Sequence, residues 1–385
     1  MLGSHTTPSL TRRGLLSASA GLIASSQLLS MAAAQPAPAT PAQENGGDIA
    51  IRPSGRRIFV ESDFARLRTV VLAQSQVRIA DADFTSADQF EKEISIVPKE
   101  QREIILQLLG KDHADAMPER QRRWEAEREA LGLVLKKHGV EVLRPRLLTR
   151  WEKEAGGKGG YSNSFVRDPW FTVGNVVIEG SLRFPHRRKE VLASRDIFRA
   201  EVYPAACRYV AAPQPEIVPL DVDNGGPGPF LEGGDVLVHG RQVFVGASGR
   251  ASTVLGAEWL AKLLAPDGYR VEIVRLKPNF LHLDCVMGLV REGLVVVCEE
   301  AFLDGLPRSL RDWERIPVSE EEAMNLGANG LPIAPDVYVT DPVFRRIGDA
   351  VGKHGVTVEY VDFSISRGFG GAFRCSTQPL WREQR

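Results

Sequence analysis

Cysteine is scarce in this sequence: four in 385 residues, at positions 207, 285, 298 and 375, with no short paired spacing. A disulfide framework is therefore not what holds the fold together, because a chain of this length buries a large core of its own. Neither charge sign is in excess. Lysine and arginine number 48 against 49 acidic residues, and no long run of one sign interrupts the chain, which excludes a polyanionic partner such as nucleic acid. Beyond the first 34 residues no segment is apolar enough to span a bilayer. The seven histidines and four cysteines contain no His-x-x-x-His or Cys-x-x-Cys pair, so the usual zinc spacings are missing and no metal is expected. What is present, 43% hydrophobic and 25% charged residues, is a globular composition.

Residues 1–34 contain no acidic residue and read as a leader. Arg12-Arg13 precede a mildly apolar stretch of Leu, Ala, Gly and Ser that ends in Ala32-Ala33-Ala34. A charged start, an apolar middle and a small-residue cleavage site form a secretory signal, and the arginine pair favours the twin-arginine route. Cleavage is expected near Ala34-Gln35, which would make the mature protein periplasmic or secreted, with no stable membrane insertion. Residues 35–55, rich in Pro, Ala and Gly, read as a flexible lead-in. Residues 56–385 are expected to form one catalytic domain.

From Leu67 onward, strand-like apolar runs alternate with amphipathic segments. Strands are expected at 67–73, 140–143, 171–173, 176–178, 236–238, 242–245, 271–274, 294–297 and 356–360. Helical spacing joins Ile104, Ile105, Leu108 and Leu109, and a second helix over 117–137 turns Trp124, Leu131, Val134 and Leu135 inward. Further helices are expected at 251–265 and 342–354. The fold class is α/β with much hairpin pairing, and a strand-strand-helix-strand order recurs, as repeated structural units would produce.

Four segments set acidic, imidazole or thiol groups beside glycines or at strand ends: Arg167-Asp168-Pro169, Glu232-Gly233-Gly234-Asp235, His282-Leu283-Asp284, and Gly370-Gly371-Ala372-Phe373-Arg374-Cys375. Paired glycines allow a tight turn that presents Cys375 at a loop tip, where the neighbouring Arg374 would lower its pKa and favour the nucleophilic thiolate. An extended His282-Leu283-Asp284 would point imidazole and carboxylate to one side. The other histidines, His113 and His186 among them, read as surface or leader residues. Taken singly, each segment admits a plainer reading: a buried structural cysteine, a solvated strand edge, or ordinary turn chemistry around Gly and Pro. Converging, two or three carboxylates would suit a planar cation with several N–H donors, a guanidinium.

In order, Arg-Asp-Pro, Glu-Gly-Gly-Asp, His-Leu-Asp and Gly-Gly-x-x-x-Cys-x-Thr-x-Pro-Leu resemble the guanidino-group-modifying enzymes: arginine deiminases, dimethylarginine dimethylaminohydrolases and amidinotransferases. The resemblance covers Leu67 to Glu383. It implies a five-bladed α/β propeller, the pentein fold, of repeated strand-strand-helix-strand units. It also implies Cys375 as nucleophile, His282 as general acid/base, Glu232 as the carboxylate orienting that histidine, and Asp168 and Asp284 as the grip on the guanidinium. Arg187 and Arg250 fall where a deiminase would hold the substrate carboxylate. The glycine loop departs from the deiminase pattern, and the arginine some deiminases carry before it has no counterpart, since Arg367 and Arg374 are displaced. The reaction implied is hydrolysis of a C–N bond at the guanidinium carbon, with amidino transfer to an amine as the alternative. No cofactor is needed. The expected partner is a small guanidino molecule, and assembly into a homo-oligomer is left open.

Overall fold

A computed structural model describes residues 55–84, 99–216 and 226–383. The leader and all of the lead-in except Gly55 lie outside them. Strand β1 (Leu67–Leu72) is followed by the short β2 (Val77–Arg78), then by β3 (Glu141–Leu143) and the short β4 (Tyr161–Ser162). Next come β5 (Trp170–Val173), β6 (Val176–Glu179) and β7 (Arg208–Ala211), then β8 (Val236–His239), β9 (Gln242–Ala247) and β10 (Arg270–Arg275). The chain continues through β11 (Met287–Arg291), β12 (Leu294–Val297) and β13 (Glu314–Pro317), then β14 (Leu331–Ala334), β15 (Val337–Thr340) and β16 (Thr357–Tyr360), and ends in β17 (Thr377–Arg382).

Apart from the β2-β4 ribbon, these strands form five three-stranded sheets with one shared pairing rule. The middle strand runs antiparallel to one neighbour and parallel to the other. In four sheets the antiparallel pair is a hairpin, β5-β6, β8-β9, β11-β12 or β14-β15, and the parallel partner is β7, β10, β13 or β16. The fifth sheet joins the two ends of the described chain, because β1 pairs antiparallel with β17 and parallel with β3. Tight turns explain the hairpins: Gly174 adopts φ 54° between β5 and β6, a left-handed conformation that side chains resist. Parallel pairing needs a longer return, supplied for example by the helices Pro118–Lys137, Val254–Leu264 and Arg345–Gly352.

Hairpin strands are buried on both faces, as in Trp170–Val173 and Leu294–Val297, and form the apolar core. Outer strands β7 and β13 are half-exposed and read Arg-Tyr-Val-Ala and Glu-Arg-Ile-Pro. Their polarity hides them in the sequence, and Pro332, Pro379 and Gly288 similarly mask β14, β17 and β11.

Two local expectations are corrected. His282-Leu283-Asp284 is not an extended strand: only His282 is extended, and Leu283–Cys285 is a 3-10 turn. His113 is not a surface residue but 1% exposed, with Nδ1 2.7 Å from Gln121 Oε1 and its ring against Trp124 and Phe369.

Candidate active site

Each of the four motifs stands just ahead of the strand that opens the hairpin or antiparallel pair of its sheet. Asp168 precedes β5, Glu232 precedes β8 by a 3-10 turn, His282 and Asp284 precede β11, and Cys375 precedes β17. Main-chain bonds tie the segments together. The Val166 and Arg167 amides donate to the Cys375 carbonyl at 3.1 and 3.2 Å, and the Gly233 amide donates to the Asp168 carbonyl at 3.1 Å. Gly234 is a glycine because a Cβ there would stand 2.6 Å from His282 Nδ1 and 2.7 Å from Asp168 Oδ1.

The structure brings Cys375, His282, Glu232, Asp168 and Asp284 together, all at 4% exposure or less. His282 Nε2 donates to Glu232 Oε2 at 2.9 Å, while its Nδ1 lies 3.7 Å from Asp168 Oδ1. Cys375 Sγ lies 3.9 Å from Asp284 Oδ2. Asp168 Oδ1 is buried without a hydrogen-bond partner among the described residues, which leaves an acceptor facing the imidazole and open to a cationic guest.

Burial and charge act against each other here. Burial alone would depress the His282 imidazole, but Asp168, Glu232 and Asp235 outweigh it and lift it to about 10. Burial would likewise raise Glu232 and Asp168, yet His282 and Arg187 hold both below the ordinary carboxylate range. Asp284 is raised by burial despite Arg374 and His282. For Cys375, burial and then Asp284 and Asp168 push the thiol well above its ordinary value. Arg374 pulls the other way, in the direction read from the sequence, but does not prevail, and Cys375 stands in a turn that is buried rather than exposed.

Residues 162–316 match the family model described as arginine deiminase. Inosamine-phosphate amidinotransferase 1 of Streptomyces griseus is 27% identical over 289 residues, 68% of this chain and 81% of that protein. The uncharacterized protein YkgA of Bacillus subtilis (strain 168) is 29% identical over 219 residues, 57% of this chain and 69% of its own. Among solved structures, SxtG, an amidinotransferase from Microseira wollei in the saxitoxin biosynthetic pathway, superposes with a TM-score of 0.65 at 19% identity, covering 85% of this chain and 98% of that one. In these matches the chain is similar to the guanidino-group-modifying superfamily. Its architecture is the α/β pentein fold of those structural neighbours.

The arginines of the site differ in how far their donors are used. A guanidinium has five N–H groups. Arg187 spends four inside the protein: Nε and Nη2 on Glu190 at 2.9 Å each, Nη2 on Asp168 Oδ2 at 2.8 Å, and Nη1 on Glu232 Oε2 at 3.2 Å. Arg374 spends all five, on Asp63, Asp284 and the Gly233 and Val236 carbonyls. Arg250, by contrast, is half-buried, and its Nε has no partner among the described residues.

Among the described residues two groups could hold a metal, Asp168-Glu232-His282 and His282-Asp284-Cys285, each with ligand atoms within 4.8 Å of one another. Both share His282, and both draw on carboxylates that Arg187 or Arg374 already engages. A metal entering there would compete with a resident guanidinium, and the carboxylate arrangement suits another planar cation.

Sequence reasoning missed Asp63, Arg183 and Asn329. Asp63 Oδ2 accepts from the Val238 amide at 2.6 Å while Oδ1 holds Arg374. The Arg183 amide donates to Glu232 Oε1 at 3.0 Å. No local pattern marks them, because their partners lie far away in the chain. For Asp63 and Asn329 the available signal is position, ahead of β1 and β14 in a repeating unit; Arg183, which follows β6, has none.

Proposed function

We propose that this protein is a cysteine-dependent hydrolase that cleaves a C–N bond at the guanidinium carbon of arginine or an arginine derivative, without a cofactor. The observation that carries the reading is the meeting of Cys375, His282 and Glu232 with Asp168 and Asp284 in one buried site. A guanidinium between the two aspartates offsets the charges that hold the thiol protonated, so substrate binding favours loss of the thiol proton to solvent and leaves the thiolate. Cys375 Sγ attacks the central carbon, and His282, an imidazolium at rest, gives its proton to the departing nitrogen. The C–N bond breaks and a thiouronium remains on Cys375. His282, now neutral, takes a proton from water. The resulting hydroxide attacks the same carbon, and the C–S bond breaks to return the thiolate.

Hydrolysis is favoured by the deiminase-like Glu232-Gly233-Gly234-Asp235 and His282-Leu283-Asp284 segments and by the match of residues 162–316 to the arginine deiminase model. The second reading is amidino transfer to an amine, favoured by the names of the Streptomyces and Microseira proteins. Purified protein incubated with arginine, agmatine or methylarginines, with and without glycine or ornithine, separates the two. Citrulline-type product without an amine supports hydrolysis; product only with an amine assigns a transferase.

The five three-stranded sheets are read as five propeller blades, a reading supported by their shared pairing order and by the closure of β17 on β1. Export by the twin-arginine route remains part of the proposal, and N-terminal sequencing of the protein from an oxidising compartment tests cleavage near Ala34.

A further inference from the structure

Four of the five sheets place catalytic-site residues directly ahead of β5, β8, β11 and β17. The corresponding place in the fifth sheet lies ahead of β14 and holds Asn329, which is fully buried. Its amide makes three bonds. Nδ2 donates to the Asp284 carbonyl at 3.1 Å, and Oδ1 accepts from the Arg374 and Cys375 amides at 3.1 and 3.3 Å. A carbonyl on one side and two N–H groups on the other fix which way the amide points. They also require a side chain that both donates and accepts at this reach, which aspartate, serine and alanine do not provide.

Cys375 and Asp284 are 91 residues apart in sequence and come from different sheets. Arg374 reaches the Asp284 carboxylate, but Asn329 joins the two main chains. Its own backbone is tightly confined. A side chain at Gly330 would collide with the Tyr338 ring, the Ala328 carbonyl packs where Gly288 lacks a side chain, and Leu326 takes the left-handed φ of 68°.

We propose that Asn329 is a positioning residue that sets the separation between the Cys375 thiol and the Asp284 carboxylate, and through it the reactivity of that thiol. The proposal rests on Cys375 being the nucleophile. Asn329→Asp keeps both acceptor bonds, loses the bond to the Asp284 carbonyl and adds charge beside the thiol. Asn329→Ala loses all three.

The test is iodoacetamide alkylation of Cys375, quantified by peptide mass mapping across pH without substrate, together with kcat and KM. In Asn329→Asp the alkylation midpoint is expected to rise by about one pH unit, with kcat at least about tenfold lower and KM changed less than about threefold. Asn329→Ala should also shift the alkylation profile. Wild-type alkylation profiles in both folded variants overturn the proposal. Failure of both to fold also overturns it, assigning Asn329 a structural role only. Turnover surviving in Cys375→Ala would instead remove the nucleophile reading, while the alkylation profile still reports whether Asn329 governs that thiol.

Discussion

The sulfur of Cys375 lies 3.9 Å from Oδ2 of Asp284, the same oxygen that Arg374 Nη1 holds at 2.9 Å. A single carboxylate oxygen thus serves an internal guanidinium and faces the nucleophile. It contributes to the raised thiol pKa at rest and offers the negative charge a cationic substrate needs. Asp284→Asn is therefore expected to have opposite effects on two readouts. The thiolate absorbance of Cys375, taken as the difference from Cys375→Ala, should develop at lower pH, while kcat/KM falls by about 100-fold, or ~2.7 kcal/mol. A thiol titration that stays put or moves upward contradicts this account.

Arg187 and Arg250 were both expected to hold a substrate carboxylate, but Arg187 has one free N–H left, whereas the Arg250 Nε has no partner among the described residues. Arg187→Lys should lower kcat/KM for arginine and for carboxylate-free agmatine by similar factors, because it loosens Asp168 and Glu232 together. Arg250→Ala should raise KM by about tenfold for arginine and leave agmatine nearly unchanged. Equal losses on both substrates for Arg250→Ala would sink its assignment.

His282 titrates at about 10 in the folded chain against a usual 6.5. A base whose folded pKa is raised contributes stability that is fully present below its unfolded pKa and is lost as pH rises through the folded one. Urea midpoints of the wild type should therefore fall relative to those of His282→Gln between about pH 6.5 and pH 10, with little differential change below that window. A difference that widens toward pH 10 would reverse the sign and reject the assignment.

Gly234→Ala would set a methyl group 2.6 Å from His282 Nδ1 and 2.7 Å from Asp168 Oδ1. Overpacking of a filled interior costs ~1–3 kcal/mol, and here the strain falls on the imidazole and on a carboxylate that faces the guanidinium. Loss of kcat by at least about tenfold is expected, with a thermal midpoint lowered by a few degrees in calorimetry. Full activity would mean that the imidazole can be displaced without consequence.

The sequence by itself determined the chemistry available: Cys375, His282, Glu232, Asp168 and Asp284, each beside a glycine, a proline or a strand end that local rules recognise. It also determined the hairpin strands β5, β6, β8, β9 and β12, whose apolar runs reflect burial on both faces. The polar outer strands β7 and β13 escaped because their side chains are set by an exposed edge, and β14 and β17 escaped because Pro332 and Pro379 argue locally against a strand. Only the tertiary structure decided the electrostatics. Whether Arg374 activates Cys375 depends on Asp63 and Asp284, which consume its donors, and whether Arg187 is free depends on Glu190, Asp168 and Glu232. Charge strength and donor use depend on distance and burial, and those distances join residues from separate sheets that no local pattern relates.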